Sequence, residues 1–176
     1  MRREPIGFDE FNVNAVRVWA NDWFLLTAGE NAPGKYNTMT VAWGSIGCMW
    51  GKPFAQIVVR PSRHTYQFTE ACDDFTLSGF GDGQRDALNL CGTKSGRDVD
   101  KVAAAGLTAI PSTQIASPAF DEAELILECR KIYRDKFSPD KFLSDDIETN
   151  YNGSDYHVIY FGEIVAIHGA KKYRSS

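Results

Sequence analysis

The feature that most constrains this chain is a succession of short extended runs, each closed by glycine or proline. Trp23-Phe24-Leu25-Leu26-Thr27-Ala28 ends at Gly29 and a turn at Asn31-Ala32-Pro33-Gly34. Residues 36–43, rich in Thr, Val and aromatics, form a second run that stops at Gly44. Residues 54–60 form a third, ended by Pro61, whose ring cannot donate to a ladder. Residues 75–80 alternate as a fourth, and Gly79, Gly81 and Gly83 supply the turn that follows. Residues 123–137 admit a helix over Glu124 to Glu128. Against it, Leu125, Leu127 and Cys129 alternate with Glu124, Glu128 and Arg130, so a long strand is the reading adopted. Residues 156–168 are the last strand, with Gly162 a bulge or bend. Helices are predicted over 63–72, 85–91 and 98–105 only. Six or more strands with few, short helices indicate a closed β-barrel. The strand-then-helix alternation of a parallel α/β sheet is missing.

Composition narrows the class. A length of 176 residues fits one domain, 1–176, with no repeat or linker dividing it. Hydrophobic residues at 43% and charged residues at 24% exclude a disordered chain, a collagen-like repeat and a disulfide miniprotein. Lys and Arg number 19 against 23 Asp and Glu, and the net charge of −4 argues against nucleic acid held by bulk positive charge. No run approaches the roughly 18 apolar residues of a membrane span, and the charged N-terminal stretch from Met1 to Glu10 has no signal-like apolar core. Cys48, Cys72, Cys91 and Cys129 form no CxxC pair, and His64, His157 and His168 show no zinc spacing. Buried free thiols in a reducing compartment are expected, hence a cytoplasmic protein with no metal, membrane or nucleic-acid partner.

Three segments carry possible chemistry. In Asn37-Thr38-Met39-Thr40-Val41-Ala42-Trp43, the two threonines share one strand face. That face either fixes the polar edge of a planar heterocycle or is an ordinary solvent-facing Thr row, and Trp43 is either a pocket wall or core. Arg60-Pro61-Ser62-Arg63-His64-Thr65 places two arginines and two hydroxyls at a helix start, where unpaired N–H groups suit a phosphate. A plain Ser62 N-cap with two solvated arginines fits as well. Gly92-Thr93-Lys94-Ser95-Gly96-Arg97-Asp98 lacks the glycines of a P-loop. It is either an anion-donating loop or a helix C-cap glycine and turn. Asp155 and His157 form an acid–base pair or, more simply, a structural hydrogen bond.

Taken together, six motifs in order cover most of the chain: N-T-M-T-x-A-W-G at 37–44, G-K-P at 51–53, R-P-S-R-x-T at 60–65, F-T-L-S at 75–78, G-T-x-S-G-R-D at 92–98 and D-Y-H-x-x-x-x-G-E-I at 155–164. In these the sequence resembles the flavin reductase-like family, in particular its flavoredoxin-type members. The resemblance implies a mainly β fold, a six-stranded antiparallel split β-barrel binding FMN, with a few short α-helices, paired as a homodimer. It implies that Asn37, Thr38, Met39 and Thr40 line the flavin and that Trp43 walls it. Arg60, Ser62 and Thr65 would meet the phosphate, with Lys94 and Ser95 as further donors. The implied function is an FMN-dependent oxidoreductase, reducing bound or exchanging flavin with NADH or NADPH and passing electrons to a downstream acceptor. The alternative is a flavoredoxin-like electron-transfer protein that takes electrons from a protein partner. Related reductases carry Gly-Asp-His before the last strand, near the nicotinamide. Here Ser154 and Tyr156 interrupt it, and His157 is the residue carried over as catalytic.

Overall fold

The computed structural model describes residues 3–175; Met1 and Arg2, which begin the charged N-terminal stretch, and Ser176 lie outside the described residues. Its strands are β1 (Glu4–Pro5), β2 (Phe24–Gly29), β3 (Tyr36–Val41), β4 (Gly44–Met49), β5 (Lys52–Val59), β6 (Asp74–Gly79), β7 (Ala109–Ile110), β8 (Ala119–Phe120), β9 (Leu125–Lys136) and β10 (Val158–Gly169). The helices are α1 (Ala15–Arg17), α2 (His64–Ala71), α3 (Arg85–Thr93) and α4 (Lys101–Ala104). The main sheet is antiparallel throughout, in the order β3-β2-β6-β9-β10-β5-β4, with β1 added to β10. β7 and β8 pair separately. The expected mainly β antiparallel architecture with a few short helices is therefore present.

The two ends of that sheet are β3 and β4, which only Ala42 and Trp43 separate in the chain. A link of so few residues spans only about 10 Å, so the sheet must curl until its edges meet. Closure here is made by one bent stretch of backbone rather than by a β3–β4 ladder. Sequence reading ended the run at Gly44 and missed β4. The strand is an edge carrying Gly44, Ser45 and Gly47, residues that weaken any β signal.

Side chains alternate as a barrel requires. Phe24, Leu26 and Ala28 face the interior with Ile57, Val59, Phe75, Leu77, Leu127 and Tyr160, while Leu25 faces outward. There it packs with Ala87, Leu88 and Cys91 of α3, so β2 is covered on both faces and reads as a continuous apolar run. Gly162 does sit at a register shift: Phe161 faces Tyr133 and Gly162 faces Lys131, leaving Ile132 unopposed. A second shift leaves Val165 of β10 unopposed.

Helix α2 is fixed at its C-terminal end. Lys131 of β9 donates its Nζ to the Thr69 carbonyl at 2.6 Å, a cation meeting the negative pole of the helix. Tyr160 of β10 donates to Glu70 of α2, which Arg134 also grips at 3.2 Å. These bonds aim the N-terminal end of α2 at the mouth of the barrel. The thiols are less uniform than expected: Cys91 and Cys129 are buried, but Cys72 is half-buried and Cys48 exposed. All four are free. No helix among the described residues is long and apolar enough to cross a membrane.

Candidate functional site

Two adjoining cavities lie where β3 and β5 end and α2 begins. One, of about 490 Å3, is lined chiefly by Arg60, Ser62, Arg63, Thr65, Lys94 and Ser95. The other, of about 210 Å3, is lined chiefly by Thr40, Val41, Trp43, Val58 and His157. Met39, Arg60 and Arg63 border both, so the two make one groove with a cationic end and an aromatic end. The structure thus gathers eight of the ten binding residues and His157 around one groove.

The remaining two, Asn37 and Thr38, line neither of these cavities. Thr38 faces outward but is covered, with its hydroxyl donating to the Leu26 carbonyl at 3.0 Å. The Thr38–Thr40 face is therefore no solvent-facing row: Thr40 donates to the Leu88 carbonyl of α3. Asn37 acts from behind the groove. Its Nδ2 donates to Thr65 Oγ1 at 2.7 Å, which leaves the Thr65 O–H as the group that residue presents.

Ser62 is not the helix cap that the sequence suggests. Arg63 occupies that position without a side-chain bond, and Ser62 belongs to the preceding turn. Its N–H and hydroxyl both donate to Asp155, at 3.0 and 2.5 Å. Asp155 has φ +56° and lies 4.0 Å from Arg60, so this carboxylate anchors the turn and tempers the local positive charge. Arg60 is held by the same segment, donating to the Asn150 carbonyl at 2.7 Å and lying 5.0 Å from the Tyr151 ring centre. Nor is Gly92 a cap: it lies within α3, which Lys94 ends. The loop that follows packs closely, and a Cβ at Gly96 would stand 2.2 Å from Asn37 Oδ1. Only glycine lets Lys94, Ser95 and Arg97 come this near to α2.

Asp155 and His157 do not pair with each other. His157 takes Tyr151 as its partner, Nδ1 to the hydroxyl at 3.0 Å, and its ring lies 5.3 Å from Trp43. Burial, with Arg60 next in importance, pushes its pKa down to about 4. The imidazole is neutral at pH 7 and walls the groove instead of carrying charge into it. Because its folded value lies below the ordinary 6.5, the unfolded chain takes up the proton first. The stability this neutral ring contributes is intact above pH 6.5 and lost as pH falls towards about 4, where the loss levels off. The loss is on the order of 2–3 kcal/mol. Urea midpoints at pH 7.5 and 4.5 should drop further in the native protein than in His157→Gln; equal drops would refute this account.

Sequence reasoning missed two cations here. Arg97 lines the cationic cavity and donates to the Ser62 carbonyl at 3.4 Å. Lys101 lines it too, although buried, with Nζ 3.1 Å from the Cys91 carbonyl. Arg97 stood within the G-T-x-S-G-R-D motif and could have been found there. Lys101 gave no local signal, since a lysine after an N-cap aspartate reads as solvated. Both cations also bear on His64, whose pKa is lowered first by burial and then by Arg97 and Lys101. No cluster of metal-binding side chains occurs among the described residues.

Comparison with known proteins follows this geometry. No curated protein matches the chain. Among solved structures, the flavoredoxin of Desulfovibrio vulgaris (Miyazaki F) aligns with TM-score 0.67 at 21% identity, covering 92% of this chain and 77% of that one. The flavoredoxin of Methanosarcina acetivorans gives TM-score 0.67 at 22% identity, over 96% and 73%. A Streptomyces globisporus NADH:FAD oxidoreductase gives 0.63 at 18%, over 88% and 78%. At such identities these likenesses show a shared fold. The family model for the flavin reductase like domain matches residues 19–175, nearly the whole chain and every groove residue named above, and by that match the chain belongs to the flavin reductase-like family.

Proposed function

We propose that the chain is an FMN-dependent oxidoreductase that takes reducing equivalents from NADH or NADPH and passes them to a downstream acceptor. Family membership supports a flavin-related redox role. The observation that carries the finer reading is the joining of a cationic cavity to an aromatic one across Met39, Arg60 and Arg63. A phosphate bearing about two negative charges suits the first, and a flat ring system needing an apolar wall suits the second. The donor chemistry of the residues present therefore fits FMN.

When bound, FMN supplies reversible hydride and electron chemistry through its ring system. The chain's own residues bind and orient. Arg60 and Arg63 would grip the phosphate, with Thr65 and Ser95 adding hydroxyl donors. Trp43, half exposed at the mouth, would wall the ring and exclude water from it. No side chain is asked to move a proton, in keeping with a neutral His157 engaged by Tyr151. The purified protein should bind FMN, and anaerobic NADH or NADPH should bleach the bound flavin. A protein that binds no FMN would end this reading.

A second reading, an electron-transfer protein fed by a protein partner, is favoured by one observation. Asp155 is committed to Ser62 and the Nδ1 of His157 to Tyr151, so of this pair only the second ring nitrogen of His157 is left to meet a nicotinamide dinucleotide. Flavin that binds but is not bleached by either nicotinamide would select it. Homodimer formation belongs to both readings. It is supported by the exposed Trp50 and Tyr133, which meet each other and the half-buried Phe161, and sedimentation equilibrium tests it. The free thiols support a reducing, cytoplasmic setting.

A further inference from the structure

Ala42 and Trp43 border a further cavity besides the aromatic end of the groove. It measures about 890 Å3 and lies between the N-terminal helical turns and the start of β4. Its chemistry is unlike that of the groove. Trp19, Trp23 and Trp43 line it, with Val16, Ser45 and Ile46 among them, and no lining residue is charged. In a chain that is 24% charged, so large a cavity without a single charge excludes ionic ligands. Three indoles suit a flat, uncharged ring.

A second observation says what that ring must carry. Trp19 is only 5% exposed, and its Nε1–H has no hydrogen-bond partner among the described residues. An indole N–H can only donate, and leaving one buried and unpaired is costly. Trp19 also meets Gly44, another residue of this lining. A Cβ on Gly44 would stand 2.7 Å from Cζ2, which a single carbon separates from Nε1 on the ring perimeter. The orphaned donor thus belongs to the indole edge beside this cavity, and a carbonyl oxygen of a ligand is the acceptor that fits it.

The wall is set in advance. Trp23 is held at φ +65°, which a bulky side chain seldom adopts, directly after a π-helical turn over Val18–Asp22. Arg85 fixes its indole, lying 4.4 Å from the ring centre and donating to the Asn21 carbonyl at 2.6 Å. We propose that this cavity binds a quinone, one carbonyl oxygen of which accepts from Trp19 Nε1. A quinone is flat, uncharged and a two-electron acceptor, so the cavity gives the downstream acceptor a chemical class. That role rests on the flavin reading above, through the shared Ala42 and Trp43, whereas the binding does not. In the transfer, the two quinone oxygens take two electrons and two protons from reduced flavin, giving hydroquinone and oxidised flavin.

Equilibrium dialysis of the flavin-free protein with tetramethyl-1,4-benzoquinone tests the binding. Its four methyl groups block addition of the exposed Cys48 thiol, and tetramethylbenzene supplies the same ring without carbonyls. Trp19→Phe should weaken the quinone about fivefold and leave the hydrocarbon within about twofold, since only the quinone meets the N–H. Ala20→Glu, at an exposed lining position, should weaken both roughly tenfold by bringing a carboxylate into an uncharged site. FMN affinity should stay within about twofold in both variants, which lie outside the groove. Absence of quinone binding, or quinone binding that either variant leaves unchanged, overturns the inference. So does displacement of the quinone by FMN, which would make this cavity part of the flavin site. Dissociation of an oligomer by Ala20→Glu also overturns it, by placing a second copy on this face. With FMN bound and reduced by stoichiometric dithionite, the quinone should reoxidise the flavin, and binding without reoxidation overturns the acceptor role. A protein that binds the quinone but no FMN removes the flavin reading alone.

Discussion

Arg60→Ala is expected to weaken FMN by roughly 30- to 150-fold while leaving riboflavin within about threefold, since a charge-assisted bond to phosphate is worth about 2–3 kcal/mol. Riboflavin has the same ring and ribityl chain but no phosphate, so the ratio of the two losses isolates the anion contact. The comparison is needed because Arg60 has a structural share as well. It donates to the Asn150 carbonyl and lies against Tyr151, and its truncation loosens the segment that positions Asp155. That loosening should burden both ligands alike. Calorimetry on Arg60→Lys, which keeps the charge but loses the planar fork, should fall between native and alanine. Equal losses for FMN and riboflavin would reject the phosphate assignment at Arg60.

The largest effect on stability is expected at Gly44. A Cβ there would stand 2.4 Å from the Gln56 carbonyl oxygen and 2.5 Å from Cη2 of the buried Trp19 ring. The first is backbone of the neighbouring strand β5, within the β4–β5 ladder, and cannot swing away. The second is core. Gly44→Ala should therefore cost about 3 kcal/mol or more, at or above the upper end of ordinary overpacking. It should also spread the strand pair just where the backbone bends to close the barrel. Gly51→Ala at the tip of the next turn is a useful contrast. There φ is +70° and no atom lies within 4 Å of the added methyl, so the cost is backbone strain alone, of order 1 kcal/mol. A urea midpoint for Gly44→Ala no lower than that of Gly51→Ala would refute the packing account.

The parts of this molecule that sequence reading reached are those written in local pattern. Leu25, Leu26, Ile57, Val58 and Val59 declare strands by composition, and Pro61 and Gly29 mark their ends. The long strands at residues 125–136 and 158–169 were legible even through their bulges. What escaped depends on partners far away in the chain. Ser62 looks like a helix cap until Asp155, 93 residues later, takes its N–H and hydroxyl. Thr38 looks like a ligand for a polar ring until the Leu26 carbonyl takes its hydroxyl. Lys101 looks solvated until α3 covers it. β4 was lost for the opposite reason: glycine and serine say little, and the strand exists because its neighbours and the closing bend leave the backbone nowhere else to pair.

The tie between Ser62 and Asp155 has a consequence for when the groove can come into being. During synthesis the turn bearing Arg60 and Ser62 leaves the ribosome long before Asn150 and Asp155 do. Until that late stretch emerges, Arg60 has no tether and the barrel lacks β10. Capture of a ligand is therefore an event of the finished polypeptide, and a chain truncated before residue 150, with an open barrel and an untethered Arg60, should hold none tightly.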